Sequence, residues 1–158
     1  PAFDLAELKG EVEIAMRISA DGASSDGWCV ALEMPSSPLT NIPEMGVCAL
    51  VADRCAAGAL LLGPVQAGTP PTGPDHRFVL ELNGGKLDVA GLDALTAPAA
   101  RHFADFLKMA RAHCINPNPR DWVATGGITR CRSFDEGSKV RVLLNGDVHL
   151  DTRISRKG

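Results

Sequence analysis

Several things are missing from this sequence, and each absence narrows what the chain does. No apolar run approaches the roughly 20 residues of a membrane span. The first residues, Pro1-Ala2-Phe3-Asp4-Leu5, carry no basic segment leading into an apolar stretch. No signal peptide is therefore expected, and Pro1 is read as following removal of an initiator Met. The five cysteines (Cys29, Cys48, Cys55, Cys114, Cys131) form no CxxC pair. That excludes a disulfide framework or zinc knuckle and fits free thiols in a reducing cytoplasm. The four histidines (His76, His102, His113, His149) have no metal-ligand spacing to one another or to a cysteine. A net charge of −3 gives no reason to expect a nucleic-acid or anionic-membrane partner. There is no internal repeat.

What is present suits one soluble domain spanning residues 1–158. The hydrophobic share of 45% is ordinary for a packed core. Phe3 to Lys9 reads as a short helical turn, ended by Gly10. Asp21 to Gly27 reads as a surface turn before a strand over Trp28 to Met34. Pro43 to Arg54 reads as a helix capped by Asn41, with Val47, Leu50 and Val51 toward the core. Ala59 to Leu62 reads as a short buried strand. Asn83-Gly84 predicts a tight hairpin between Phe78–Leu82 and Lys86–Ala90, because this pair accepts positive φ. Thr96 to Ala112 is the best helix, with Thr96 as cap, Pro98 in the first turn, and Phe103, Phe106, Leu107 and Ala110 on one face. Trp122 to Thr125 reads as a strand, and Asn145-Gly146 predicts a second hairpin between Lys139–Leu144 and Val148–Ile154. The pattern is a β-rich α+β fold with one main helix.

The stretch from Glu11 to Glu33 holds the chemistry. Glu11-Val12-Glu13-Ile14-Ala15-Met16-Arg17-Ile18 alternates as a strand with one buried face. Glu11 and Glu13 then point the same way, with Cα atoms roughly 6.6 Å apart. Glu33 adds a third carboxylate inside an apolar run. Such groups are either solvated and paired to cations or gathered around a hard divalent metal. Spacing alone leaves both open.

The order of the segments resembles the fumarylacetoacetate hydrolase superfamily, nearest its 2-keto-4-pentenoate hydratase and 4-oxalocrotonate decarboxylase branch. The matching pieces are Glu11-Val12-Glu13-Ile14-Ala15, Glu33 with Pro35-Ser36-Ser37, and Val51-Ala52-Asp53-Arg54 through Gly58 to Leu62-Gly63. Leu80-Glu81-Leu82-Asn83-Gly84, the Pro98-led helix, and Val123-Ala124-Thr125-Gly126 with Thr129 complete the set. The resemblance implies a mixed β-sheet roll or sandwich of the fumarylacetoacetate hydrolase C-terminal type. It implies Mg²⁺ or Mn²⁺ on Glu11, Glu13 and Glu33. It also implies a 2-oxo or 2-hydroxydienoic acid as substrate, undergoing hydration, decarboxylation or tautomerisation. Thr125, Gly126 and Thr129 match substrate-contacting positions, and turn geometry is an equal role for Gly126 and Gly127. Arg54 is a candidate for the substrate carboxylate or for pairing with Glu33 or Asp53. Arg54 and Thr125 are the candidates nearest the reaction.

The departures are specific. Ten residues precede Glu11, where family enzymes have a long region that carries a lysine. Ser36, Arg54 and Ala56 replace an expected Asp, Asn and small polar residue. A homo-oligomer is expected. The rival reading is a non-catalytic, ligand-binding member, or a partner of a larger hydratase or decarboxylase subunit.

Overall fold

The computed structural model describes the backbone of residues 2–3, 7–39 and 42–156; the side chains of residues 2, 3, 42, 43, 50 and 54 lie outside that description. In chain order the strands are β1 (Ala2–Phe3), β2 (Lys9–Ile18), β3 (Ser25–Met34), β4 (Ala59–Leu62), β5 (Arg77–Leu82) and β6 (Gly85–Gly91). They continue as β7 (Trp122–Gly127), β8 (Arg132–Ser133), β9 (Lys139–Leu144), β10 (Asp147–Arg153) and β11 (Ser155–Arg156). The helices are α1 (Ile42–Met45), α2 (Val47–Ala52) and α3 (Ala99–Ala112).

Two antiparallel sheets face each other. One runs β4-β3-β2-β7, with β8 also pairing β2; the other runs β10-β9-β5-β6. The alternating residues of β2 and β3 build the core from one side. Val12, Ile14, Met16 and Ile18 point inward with Val30, Leu32 and Met34. Phe78, Leu80, Val140, Val142 and Leu144 meet them from the second sheet. Among the described residues, β1 and β11 form the parallel pair, so the mixed character lies outside both main sheets.

Both hairpins form as the Asn-Gly pairs predict. Asn83 and Gly84 sit at φ 50° and 84°, and Asn145 and Gly146 at 54° and 96°. The helix α3 packs against β2 and β7, burying Phe103, Leu107 and Ala110. Its cap differs from expectation. Pro98 holds the N-cap position without a side-chain cap bond, and Thr96 instead lies 3.4 Å from His102 Nε2.

Three expectations are corrected. The turn placed over Phe3 to Lys9 is flanked by strand: Phe3 pairs with Arg156, and Lys9 opens β2. Residues 4–6 lie outside the described residues. The helix placed over Pro43 to Arg54 is broken at Gly46, and a separate short 3₁₀ turn covers Arg54–Ala56. Val47 and Val51 face outward, 71% and 65% exposed, on a helix of only six residues. Asn41 and the Leu50 side chain lie outside the described residues. Ala59–Leu62 is a half-buried edge strand, since its pairing is to β3 on one side.

Candidate metal centre

The register of β2 against β3 assembles the acidic group. Glu11 pairs with Glu33 and Glu13 with Ala31. Paired residues in an antiparallel ladder project to the same face. Glu11, Glu13 and Glu33 therefore share the face of the sheet turned away from the main core. One carboxylate oxygen from each lies within 4.8 Å of the other two. A single ion contacting all three needs oxygens no farther apart than about twice a metal–oxygen distance, roughly 4.2–5.2 Å. The donor set, all hard oxygen, suits Mg²⁺, Mn²⁺ or Ca²⁺.

The electrostatics favour either a shared proton or a cation. Glu13 is 3% exposed. Burial pushes its carboxyl up to about 8, helped by a hydrogen bond to Glu33 and by the nearby Glu33 and Glu11 charges. Burial and the charge of Glu33 also raise Glu11. Among the described residues, none of the ion pairs involves these three glutamates. Like charges in a desolvated place without a counter-charge are unfavourable, and a divalent cation reverses the sign of that balance. The residues present fit the ion.

The strand β7 and the turn after it hold the group in place. The Gly126 amide donates to Glu13 Oε2 at 3.0 Å. Gly126 sits at φ 113°, a conformation that disfavours other residues. Gly127 pairs with Glu13 and leaves room for Glu11; a Cβ there would lie 2.6 Å from Glu11 Oε2. The buried Thr125 hydroxyl donates to the Ile14 carbonyl at 2.8 Å. The Val12 amide donates to Thr129 Oγ1 at 2.9 Å. Both hydroxyls are thus engaged with the β2 backbone on either side of Glu13.

The structure brings Glu11, Glu13, Glu33 and Gly126 together, with Thr125 and Thr129 behind them. The Arg54 side chain lies outside the described residues. Arg130 and Arg132 converge on Asp88 Oδ2, at 3.9 and 3.4 Å from their Nε atoms. Asp88 also accepts the Val89 and Arg130 amides. The clearance that Gly127 gives Glu11 goes beyond the turn role expected of it. Its sequence signal is a second glycine in the strand that must pair with Glu-x-Glu.

No family model matches the sequence, and no curated protein matches it. Solved structures do match. The 4-oxalocrotonate decarboxylase from Pseudomonas putida G7, complexed with magnesium and adipate, superposes with a TM-score of 0.75 at 17% identity, covering 97% of this chain and 62% of that one. The chain has the fumarylacetoacetate hydrolase fold. A second match is fumarylpyruvate hydrolase from Pseudomonas aeruginosa in complex with Mn²⁺ and pyruvate, with a TM-score of 0.66, 15% identity, and coverage of 99% and 72%. A third is 5-carboxymethyl-2-hydroxymuconate delta-isomerase from Mycobacterium smegmatis, at 0.66 and 19%, covering 99% and 62%. At these identities the likeness is one of fold. The chain spans 62% and 61% of the length of the first two structures it matches.

Proposed function

We propose that this chain is a divalent-metal-dependent enzyme of the fumarylacetoacetate hydrolase type, acting on a 2-oxo or 2-hydroxydienoic acid. Hydration, decarboxylation and keto–enol tautomerisation all suit the site. The observation that carries the reading is the convergence of Glu11, Glu13 and Glu33 without an ion-pair partner among the described residues. The fold neighbours complexed with magnesium or Mn²⁺ support the same cation class. In this reading Glu11, Glu13 and Glu33 hold Mg²⁺ or Mn²⁺. The chemistry such a cation supplies is Lewis acidity toward the carboxylate and adjacent oxygen of a 2-oxo acid.

The other residues position and orient. Gly126 fixes the inner oxygen of Glu13 through its amide. Thr125 and Thr129 pin β2, the strand that carries Glu11 and Glu13. Arg54 is the proposed contact for the substrate carboxylate, as a planar donor fork matched to two oxygens.

The rival is a non-catalytic subunit that joins a larger hydratase or decarboxylase subunit or a second copy of this chain. The exposed apolar surface of Met45, Val47 and Val51 favours it, since such side chains are commonly covered in assemblies.

Calorimetric titration of Mg²⁺ and Mn²⁺ into the native chain and Glu13→Ala tests the metal reading. Binding at micromolar to sub-millimolar affinity by the native chain, lost in the variant, supports it. Absence of binding in both proteins removes it. A screen of 2-oxo acids for enol formation and carbon dioxide release then separates the enzyme from the subunit.

A further inference from the structure

A cavity of about 190 Å³ opens directly beside the acidic group. Glu33 stands at its head. Leu60, Ala59 and Ala57 form one wall, and Trp122 and Ala124 the other. Strand register explains why these residues meet. Leu60 pairs with Glu33 across β3–β4, and Ala124 pairs with Ala15 across β2–β7. On this face the middle strands β3 and β2 carry Ala15, Cys29 and Ala31, which are fully buried because Leu60, Leu62 and Trp122 pack over them. Above that layer, Glu33, the 57–60 segment, Trp122 and Ala124 bound an open trough.

The wall on the β4 side is held tightly. The Ser36 amide donates to the Ala56 carbonyl at 2.8 Å. A Cβ on Gly58 would lie 2.9 Å from the Ser36 amide nitrogen. The loop ahead of β4 is therefore clamped to the chain just past Glu33, which fixes Ala57 and Ala59 beside the carboxylates. On the far wall Trp122 presents a flat apolar surface. A cation on this face, Arg17, is stacked on that ring with its Cζ 5.8 Å from the centroid, and its Nε lies 2.6 Å from Asp26 Oδ1. Its charge is already matched by Asp26.

Resting on the metal-site reading above, we propose that this trough receives the tail of the 2-oxo acid, and that it selects an uncharged tail over one ending in a second carboxylate. The walls are aliphatic and aromatic, and the charged group at the head is an acid. An apolar tail gains from leaving water here, whereas a terminal carboxylate loses hydration and finds no cation among the described side chains that line the cavity. The volume is slightly above the roughly 150 Å³ of an apolar cavity that holds a benzene ring. That matches a short unsaturated or alkyl tail. Trp122 and Ala124 are the specificity-determining positions, because they face the tail and not the acidic head.

The test uses calorimetry on the Mn²⁺-saturated chain with three probes. Oxalate has the chelating head alone. 2-Oxohexanoate adds an uncharged tail, and 2-oxoadipate adds one of the same length ending in a carboxylate. The expected result is that oxalate binds and 2-oxohexanoate binds at least tenfold more tightly than 2-oxoadipate. Trp122→Ala should weaken 2-oxohexanoate about fivefold or more and leave oxalate unchanged. Ala124→Arg, at an exposed position that tolerates a long side chain, should reverse the preference toward 2-oxoadipate. If oxalate binds but 2-oxoadipate binds as well as 2-oxohexanoate or better, the tail assignment is overturned and the chelating head stands. If oxalate fails to bind, the metal-site reading falls and takes the tail assignment with it.

Discussion

Gly127 lies where Glu11 needs space: a Cβ on residue 127 would stand 2.6 Å from Glu11 Oε2 and 2.9 Å from its Cδ. The two residues belong to neighbouring strands, and the missing side chain on one lets the carboxylate of the other lie over it. Gly127→Ala must move Glu11 by several tenths of an ångström or more. The expected outcome is a loss of Mn²⁺ affinity of about tenfold or more, with the far-ultraviolet circular dichroism unchanged. Native affinity in this variant would show that Glu11 does not bind the ion in its observed position.

Glu13 makes the metal-free fold sensitive to alkali. Its carboxyl is pushed up to about 8 by burial, by the hydrogen bond to Glu33 and by its acidic neighbours. An unfolded glutamate titrates near 4.3. Between these values the folded state holds a proton that the unfolded state has lost, so stability falls as pH rises. The slope contributed by this one group is at most about 1.4 kcal/mol per pH unit. Below the unfolded value its contribution is fully present; through about 8 it is lost. Thermal melts of the metal-free chain should therefore be lower at pH 8.5 than at pH 5.5, beyond the change seen in Glu13→Gln. Adding Mg²⁺ or Mn²⁺ should raise the melting temperature more at pH 8.5 than at pH 5.5, because the ion binds the ionised carboxylates.

Thr129 carries the amide of Val12. The bond is 2.9 Å long and buried. Thr129→Val leaves that amide without a partner, a loss of about 1–3 kcal/mol. Thr129→Ser keeps the hydroxyl and should recover most of the difference. Urea unfolding of the three proteins checks this. If Thr129→Val is as stable as the native chain, the hydroxyl is not bracing β2.

Asp88 anchors the turn that follows Gly127. It accepts the Arg130 amide at 3.1 Å and the Val89 amide at 3.0 Å, with Arg130 and Arg132 nearby. Burial works against its charge, but these amides and arginines outweigh it and hold its carboxyl below the usual carboxylate range. That contribution to stability is present above the unfolded value of about 3.9 and is lost as pH falls through the folded one. Asp88→Asn should show a smaller loss of stability between pH 5 and pH 3 than the native chain. Hydrogen exchange at the Arg130 amide should quicken in the variant at neutral pH.

Local chemistry sets much of this protein directly. The alternation of Val12, Ile14, Met16 and Ile18 makes β2 two-faced, and Glu11 and Glu13 fall on one side because the side-chain period of a strand is two. Asn83-Gly84 and Asn145-Gly146 close hairpins because both residues of each pair accept positive φ. The stripe Phe103, Leu107 and Ala110 buries α3. These features depend on neighbours a few residues apart, and the sequence contains them. Other features depend on which strand lies beside which. Glu33 meets Glu11 through the β2–β3 register, and the raised carboxyl of Glu13 comes from burial under several segments at once. Gly127 clears Glu11 across more than a hundred residues of chain. Val47 and Val51 are apolar yet exposed, which depends on how the short helix α2 sits against the rest of the fold and not on its own pattern. The sequence supplied the three carboxylates and their strands; the pairing of those strands brought the carboxylates together, and desolvation by the packed whole raised the pKa values.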